Sequence, residues 1–171
     1  DQNTAAVCAY NGGTLENLTV AGSIEAKDFA AGIFAASLPM KEEDETLSKL
    51  VNHAKVTADG TAAGIVAQTK EKVLLEDCVN TGVIEAAVAA GITTAECENL
   101  VLMRCQNYAP IISSDNESYG ITSNLTANLT DCVGVSENVY PIAADANESE
   151  NCLYFVSGGE KLEDALLADR S

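Results

Sequence analysis

Runs of β-branched and aliphatic residues, about four to six long, recur along the chain between clusters of Gly, Asn, Asp and Thr. Apolar spacing of the 3.6-residue type is not sustained, so the runs predict strands rather than amphipathic helices. The runs also repeat in kind. A small-Gly-apolar step is followed by Leu-x-x-(Leu or Cys), then by an Asn and a small residue, then by a β-branched residue. The clearest copies begin at Ala63-Gly64-Ile65 and Ala90-Gly91-Ile92. The Leu-x-x-Leu/Cys core falls at Leu15 and Leu18, Leu47 and Leu50, Leu75 and Cys78, Leu102 and Cys105, and Leu129 and Cys132.

Repeats of this length bury their apolar side against the next copy, so the chain grows as a stack. Three short strands per copy predict an all-β fold, a single-stranded parallel β-helix of about five rungs, right-handed, with levels about 4.8 Å apart. The rungs are expected near residues 5–26, 29–58, 61–86, 88–113 and 118–142, with a terminal strand at 150–157. Residues 1–157 thus form the array, and residues 158–171 a capping helix or a linker, with Leu162, Ala165 and Leu166 at helical spacing. After Cys132 the pattern weakens: Ser136 and Asn138 stand where earlier copies have a small residue and a β-branched one. Ala5-Ala6-Val7-Cys8-Ala9 aligns with Ala31-Gly32-Ile33-Phe34-Ala35, so the chain starts inside the array and is expected to be either a processed protein or a piece of a longer one.

Two columns follow from the constant three-residue offset: Leu15, Leu47, Leu75, Leu102 and Leu129 in one, Leu18, Leu50, Cys78, Cys105 and Cys132 in the other. A slot that takes Leu or Cys is an apolar interior slot. Its thiols are expected to be reduced and slow to react. Cys8, Cys97 and Cys152 occupy other positions in the pattern. Asn52, Asn80 and Asn107 each fall two residues after the second column, where stacked amides can bond one another and where Asn tolerates the left-handed backbone of a sharp corner.

Length variation concentrates at one corner. From the Gly step to the next Leu there are 11 residues in two copies (64 to 75, 91 to 102), 9 in two (6 to 15, 120 to 129) and 15 in one (32 to 47). The long copy holds Ser37 to Thr46, including Glu42, Glu43, Asp44 and Glu45. Insertions of this kind map to one face of a repeat protein, often the binding face, and these four acidic residues are the candidate ligand contacts.

The composition narrows the chemistry. The chain has 171 residues, 47% of them hydrophobic but only 5% aromatic, and no Trp. The core must therefore be built of Ala, Val, Ile, Leu and Cys, which suits thin repeated layers. The net charge of -17 repels phosphate backbones and anionic lipid, so neither nucleic acid nor a membrane surface is an expected partner. No apolar run is long enough to cross a membrane as a helix.

Catalytic groupings are sparse. His53 is the sole histidine, and no Gly-x-Ser-x-Gly accompanies it. There is no Cys-x-x-Cys for a zinc site. The stretch Asp145-x-Asn147-x-Ser149-x-Asn151 alternates oxygen ligands, but Glu150 stands where an EF-hand loop needs Gly and Val156 where it needs Glu. No metal or other cofactor is expected; structural calcium in another geometry is the alternative. Asn-x-Ser/Thr sequons begin at Asn17, Asn116, Asn124, Asn128 and Asn147, an excess that Asn- and Thr-rich turns also explain.

The string Ala-Gly-Ile-Val-Ala followed by Leu-Glu-Asp-Cys-Val-Asn-Thr-Gly-Val-Ile (63 to 84) resembles the GLUG-type repeats of bacterial surface and secreted proteins. There Gly-Gly-Ile-Val-Gly precedes an Ile-x-Asn-Cys-x-Asn-x-Gly-x-Val stretch, and Asn151-Cys152-Leu153-Tyr154 is similar to the Asn-Cys-Tyr-Tyr ending of such arrays. This chain departs in having Ala31, Ala63 and Ala90 for the first Gly, and no Cys in its first two copies. The resemblance implies an extracellular, cell-surface or secreted module of a large protein, a structural spacer or adhesin, with no catalytic residue to carry over. The implied partner is a glycan or protein of a host or neighbouring cell. The competing class is a polysaccharide lyase or glycoside hydrolase on a β-helix. A lyase wants a base in a groove and a hydrolase wants paired carboxylates; Arg104 and Arg170 are the only arginines, and five rungs span only about 24 Å, short for a polysaccharide groove.

Overall fold

A computed structural model describes residues 3–11, 14–37, 45–69, 72–94, 99–124, 126–136 and 148–156. The described residues are all-β, and every strand pairing among them is parallel. The strands stack as a β-solenoid of about four turns, consistent with a parallel β-helix. The five levels of the Leu column bound those four turns, which is why five copies in sequence give four full turns in space.

The turns share three sheets. The first, of ten strands, carries Leu15–Val20, Glu45–Asn52, Val73–Glu76, Val101–Met103, Asn128–Thr130 and Glu148–Glu150. It continues past a bend into Val79–Asn80, Gln106–Asn107, Val133–Ser136 and Leu153–Val156. The second sheet has seven strands, among them Ser23–Ala26, Lys55–Ala58, Ile84–Ala90 and Ile111–Tyr119. The third joins Cys8–Asn11, Phe34–Ser37 and Val66–Gln68, and single bridges extend it through Thr93 and Thr122.

Register follows the sequence repeat. Leu15 pairs with Leu47, Leu47 with Leu75, Leu75 with Leu102 and Leu102 with Leu129, while Leu18 pairs with Leu50. Ala5 pairs with Ala31 and Cys8 with Phe34, in the alignment of the first residues. Because side chains alternate across a strand, each copy sends the same positions inward. Leu47, Leu75, Leu102, Val56, Ile84, Ile111, Ile33, Ile65, Ile92 and Ile121 are all fully buried, and Leu15 and Leu18, at the first level, are only partly covered.

A middle level shares its side chains with layers above and below. Leu75→Ala is therefore expected to cost about 2 to 5 kcal/mol, whereas Glu43→Ala should change stability by less than about 0.5 kcal/mol. Denaturant melts of the two variants measure this directly, and equal losses would contradict the placement of Leu75 in the core.

Three points bear on the sequence expectations. After Cys132 only Val133 keeps the register of the preceding turn, pairing with Gln106, while Val133–Ser136 pairs with Leu153–Val156 of the turn that follows, and Asn138 lies outside the described residues. Length variation is also not confined to one corner. Between Ala86 and Val88 lies one residue, but between their partners Ser113 and Glu117 lie three, Ser114, Asp115 and Asn116, which form an exposed bulge. Ser113 holds that bulge by donating to the Ala87 carbonyl and accepting from the amides of Asp115 and Glu117. Finally, residues 158–171, the expected cap or linker, lie outside the described residues.

Candidate functional site

The left-handed corner does not sit at the Asn ladder. It sits one residue before the Leu/Cys column, at Asn17, Lys49, Asp77, Arg104, Asp131 and Asn151, with φ of 56, 54, 54, 52, 54 and 54°. One residue in this conformation turns the strand sharply without breaking either half of the ladder, and Asn and Asp adopt it at least cost. Lys49 and Arg104 do not share that ease. Each is tied to an acidic residue one level away: Lys49 Nζ lies 3.0 Å from Glu16 Oε1, and Arg104 Nε lies 2.7 Å from Asp77 Oδ1 while its Nη2 reaches Glu76.

These pairs set the local electrostatics. Hydrogen bonding and charge from Lys49 hold the Glu16 carboxyl below its usual range, and the Arg104 hydrogen bond does the same for Asp77. Asp77 first, and then Glu76, raise the Arg104 guanidinium above its ordinary value. All are solvent-facing, so the pairs fix side-chain positions more than they stabilise the fold. Sequence reasoning missed this column because Lys49 and Arg104 interrupt its Asn/Asp signal.

Asn52, Asn80 and Asn107 form a ladder in the interior. Asn52 Nδ2 donates to Asn80 Oδ1 at 2.8 Å, and Asn80 Nδ2 to Asn107 Oδ1 at 2.7 Å. Each amide also donates to the carbonyl two residues on, Ala54, Gly82 or Ala109, and each Oδ1 accepts the amide N–H of that same residue. All three side chains are fully buried. None of the three has a positive φ. The ladder spends its polar atoms on the adjacent turn, which leaves them no role toward a ligand.

That ladder explains the Gly of each copy. A Cβ on Gly32, Gly64 or Gly91 would sit 2.5 to 2.6 Å from Cγ of Asn52, Asn80 or Asn107 and would overlap the carbonyl of the next Gly in the column.

Cys78, Cys105 and Cys132 occupy the Leu18–Leu50 column, buried and free. Cys152, expected elsewhere in the pattern, extends the same column: Leu153 pairs with Val133, and its amide donates to the Cys132 carbonyl at 2.8 Å. The side chain of Cys8 and all of Cys97 lie outside the described residues. Burial pushes the Cys105 thiol well above its ordinary pKa.

His53 is exposed, with Nδ1 2.5 Å from Thr81 Oγ1, and Thr81 in turn donates to the Asn52 carbonyl. No carboxylate or nucleophile is part of that chain. Of the acidic corner, Glu42, Glu43 and Asp44 lie outside the described residues, and Glu45 opens a strand whose backbone pairs with Val73. The insertion is thus bracketed by Ser37, ending the third sheet, and Glu45, starting the first. Most of the Asp145–Asn151 stretch is likewise outside, although Ser149 pairs with Leu129 and Asn151 takes the left-handed corner. Among the described residues no three His, Cys, Asp or Glu side chains converge as metal ligands. Of the sequons, Asn17 and Asn116 are exposed and Asn124 is buried.

No protein-family model matches this chain, and no curated protein or solved structure is significantly similar to it.

Proposed function

We propose that the chain is a non-catalytic structural or adhesive module of a larger extracellular bacterial surface protein, related to GLUG-type repeat arrays. Its recognition is made by the corner between Ser37 and Glu45. The observation that carries this reading is the contrast between a turn whose reactive side chains are committed to its own architecture and a corner that carries an acidic insertion. The Asn amides bond their neighbours, the thiols are buried, and His53 is held by Thr81. Glu42, Glu43 and Asp44 stand together in the insertion.

Four-residue acidity of this kind, counting Glu45, suits a host or neighbouring-cell protein or glycan that carries positive charge. Binding should weaken as salt rises, since exposed charges are screened over about 8 to 10 Å at physiological ionic strength. The test is a glycan and protein array probed with the wild type and with a variant lacking residues 38–44. The deletion spares Glu45, whose backbone belongs to the ladder with Val73. Loss of binding with an unchanged melting temperature supports the corner; binding that survives moves the site elsewhere. Release of unsaturated or reducing sugar ends from a polysaccharide would replace this reading with a lyase or hydrolase.

A further inference from the structure

The cysteine column is the part of the interior that recognition at the corner leaves unused. Cys78, Cys105, Cys132 and Cys152 stand on four consecutive levels, all buried and none in a disulfide. Register sets them one above another, since Val79 pairs with Gln106, Gln106 with Val133 and Val133 with Leu153. Each thiol also lies 3.5 to 3.6 Å from the carbonyl two residues before it, of Glu76, Met103, Thr130 or Glu150. Leu alone could fill this column, as it does at Leu18 and Leu50. Four thiols in a row are therefore not required by packing.

Stacked residues point their Cβ bonds the same way, so the sulfurs stand one above another at the spacing of the levels, about 4.7 to 4.9 Å. A disulfide wants Cβ atoms about 3.5 to 4.5 Å apart, closer than that spacing. A tetrahedral zinc site wants ligands converging from several directions, and none converge among the described residues. A linear bridge fits better: two metal–sulfur bonds of about 2.3 Å end to end span about 4.6 Å. Thiolates select soft cations, and an ion placed between two stacked sulfurs replaces their protons without demanding lateral room.

We propose that adjacent thiols of this column, Cys78 with Cys105 and Cys132 with Cys152, each take one soft d10 cation in linear S–M–S coordination, two ions per chain. With a divalent ion, two S–H bonds give way to two S–M bonds and both protons leave to solvent. No electron is transferred and the bridge is neutral. Neutrality matters because an apolar interior penalises net charge heavily.

Mercury(II) is the probe, titrated into the reduced full chain carrying Cys8→Ser and Cys97→Ser, which removes the thiols outside the column. The expected result is saturation at two ions per chain, release of four protons and a higher melting temperature, because an ion that binds the folded chain preferentially stabilises it. Cys78→Leu extends the Leu column by one level and should reduce tight binding from two ions to one. Cys152→Leu repeats the measurement from the other end should the first variant not fold. Four ions per chain, a lower melting temperature on loading, or displacement by equimolar zinc(II) would each overturn the proposal.

Discussion

Gly64→Ala is expected to cost more than about 4 kcal/mol, in the range reserved for a few severe mechanisms, and in a marginally stable chain to prevent folding altogether. The cause is space rather than backbone conformation, since Gly64 is not in the left-handed region. Its added Cβ would overlap the Gly91 carbonyl and lie 2.6 Å from Cγ of Asn80. Neither neighbour can move away. The carbonyl belongs to the next turn, and Asn80 is held by bonds to Asn52, Gly82 and Asn107. Gly22→Ala is the contrasting case: Gly22 has φ 121° but nothing within 4 Å of a new Cβ. It should lose only the strain of a non-Gly residue at positive φ, of order 1 to 3 kcal/mol. Chemical denaturation of the two variants separates crowding from strain, and a smaller loss for Gly64→Ala would mean that the Gly step does not pack on the Asn ladder.

The same comparison shows what was legible in the sequence. The Leu and Cys columns could be read because interior slots of a stack repeat in chemical type, and parallel register converts equal spacing into vertical contact. The Gly step could be read as a repeat but not explained, because its partner, the Asn ladder, lies elsewhere in the same turn. The left-handed corner was assigned to Asn52, Asn80 and Asn107 on propensity. Propensity pointed to the wrong Asn: a buried amide bonded along the axis satisfies the backbone by side chain, whereas the turn itself is made at Asp77 and its counterparts.

Cys152 shows a different limit. It stands 20 residues after Cys132 where the earlier cysteines stand 27 apart, so counting by the repeat misses it. Pairing of Leu153 with Val133 restores it to the column. The bulge at 114–116 was hidden for a related reason. Its two extra residues were absorbed into a gap of 29 between Gly91 and Gly120, which by itself does not say which corner widened. Sequence spacing fixes the layers well and the corners poorly, because layers are constrained by neighbours on both sides and corners only by closure.

The Asn ladder should therefore be the most substitution-sensitive polar element of the fold, and Asn80→Asp tests it with almost no change of shape. Asn80 Nδ2 donates to the Gly82 carbonyl at 2.9 Å and to Asn107 Oδ1 at 2.7 Å. A buried carboxylate there would keep the Asn52 and Gly82 donors on one oxygen, but its other oxygen would face both acceptors with no proton to offer. Losing two buried donors and adding a buried charge should cost about 3 to 5 kcal/mol at neutral pH. The loss should also depend on pH. Burial and the two facing acceptors favour the protonated carboxyl, which raises its pKa in the folded state above the unfolded value of about 3.9. The variant is then closest to the wild type below that unfolded value. It falls further behind as pH rises through the raised folded value, where the folded state must either hold the proton or accept the charge. Asn80→Leu, which removes the donors without adding a titratable group, should be destabilised by a pH-independent amount. Parallel melts of the three proteins across pH 3.5 to 8 decide the point, and an Asn80→Asp deficit that does not grow with pH would show that the amide at this level is not enclosed by the acceptors of Gly82 and Asn107.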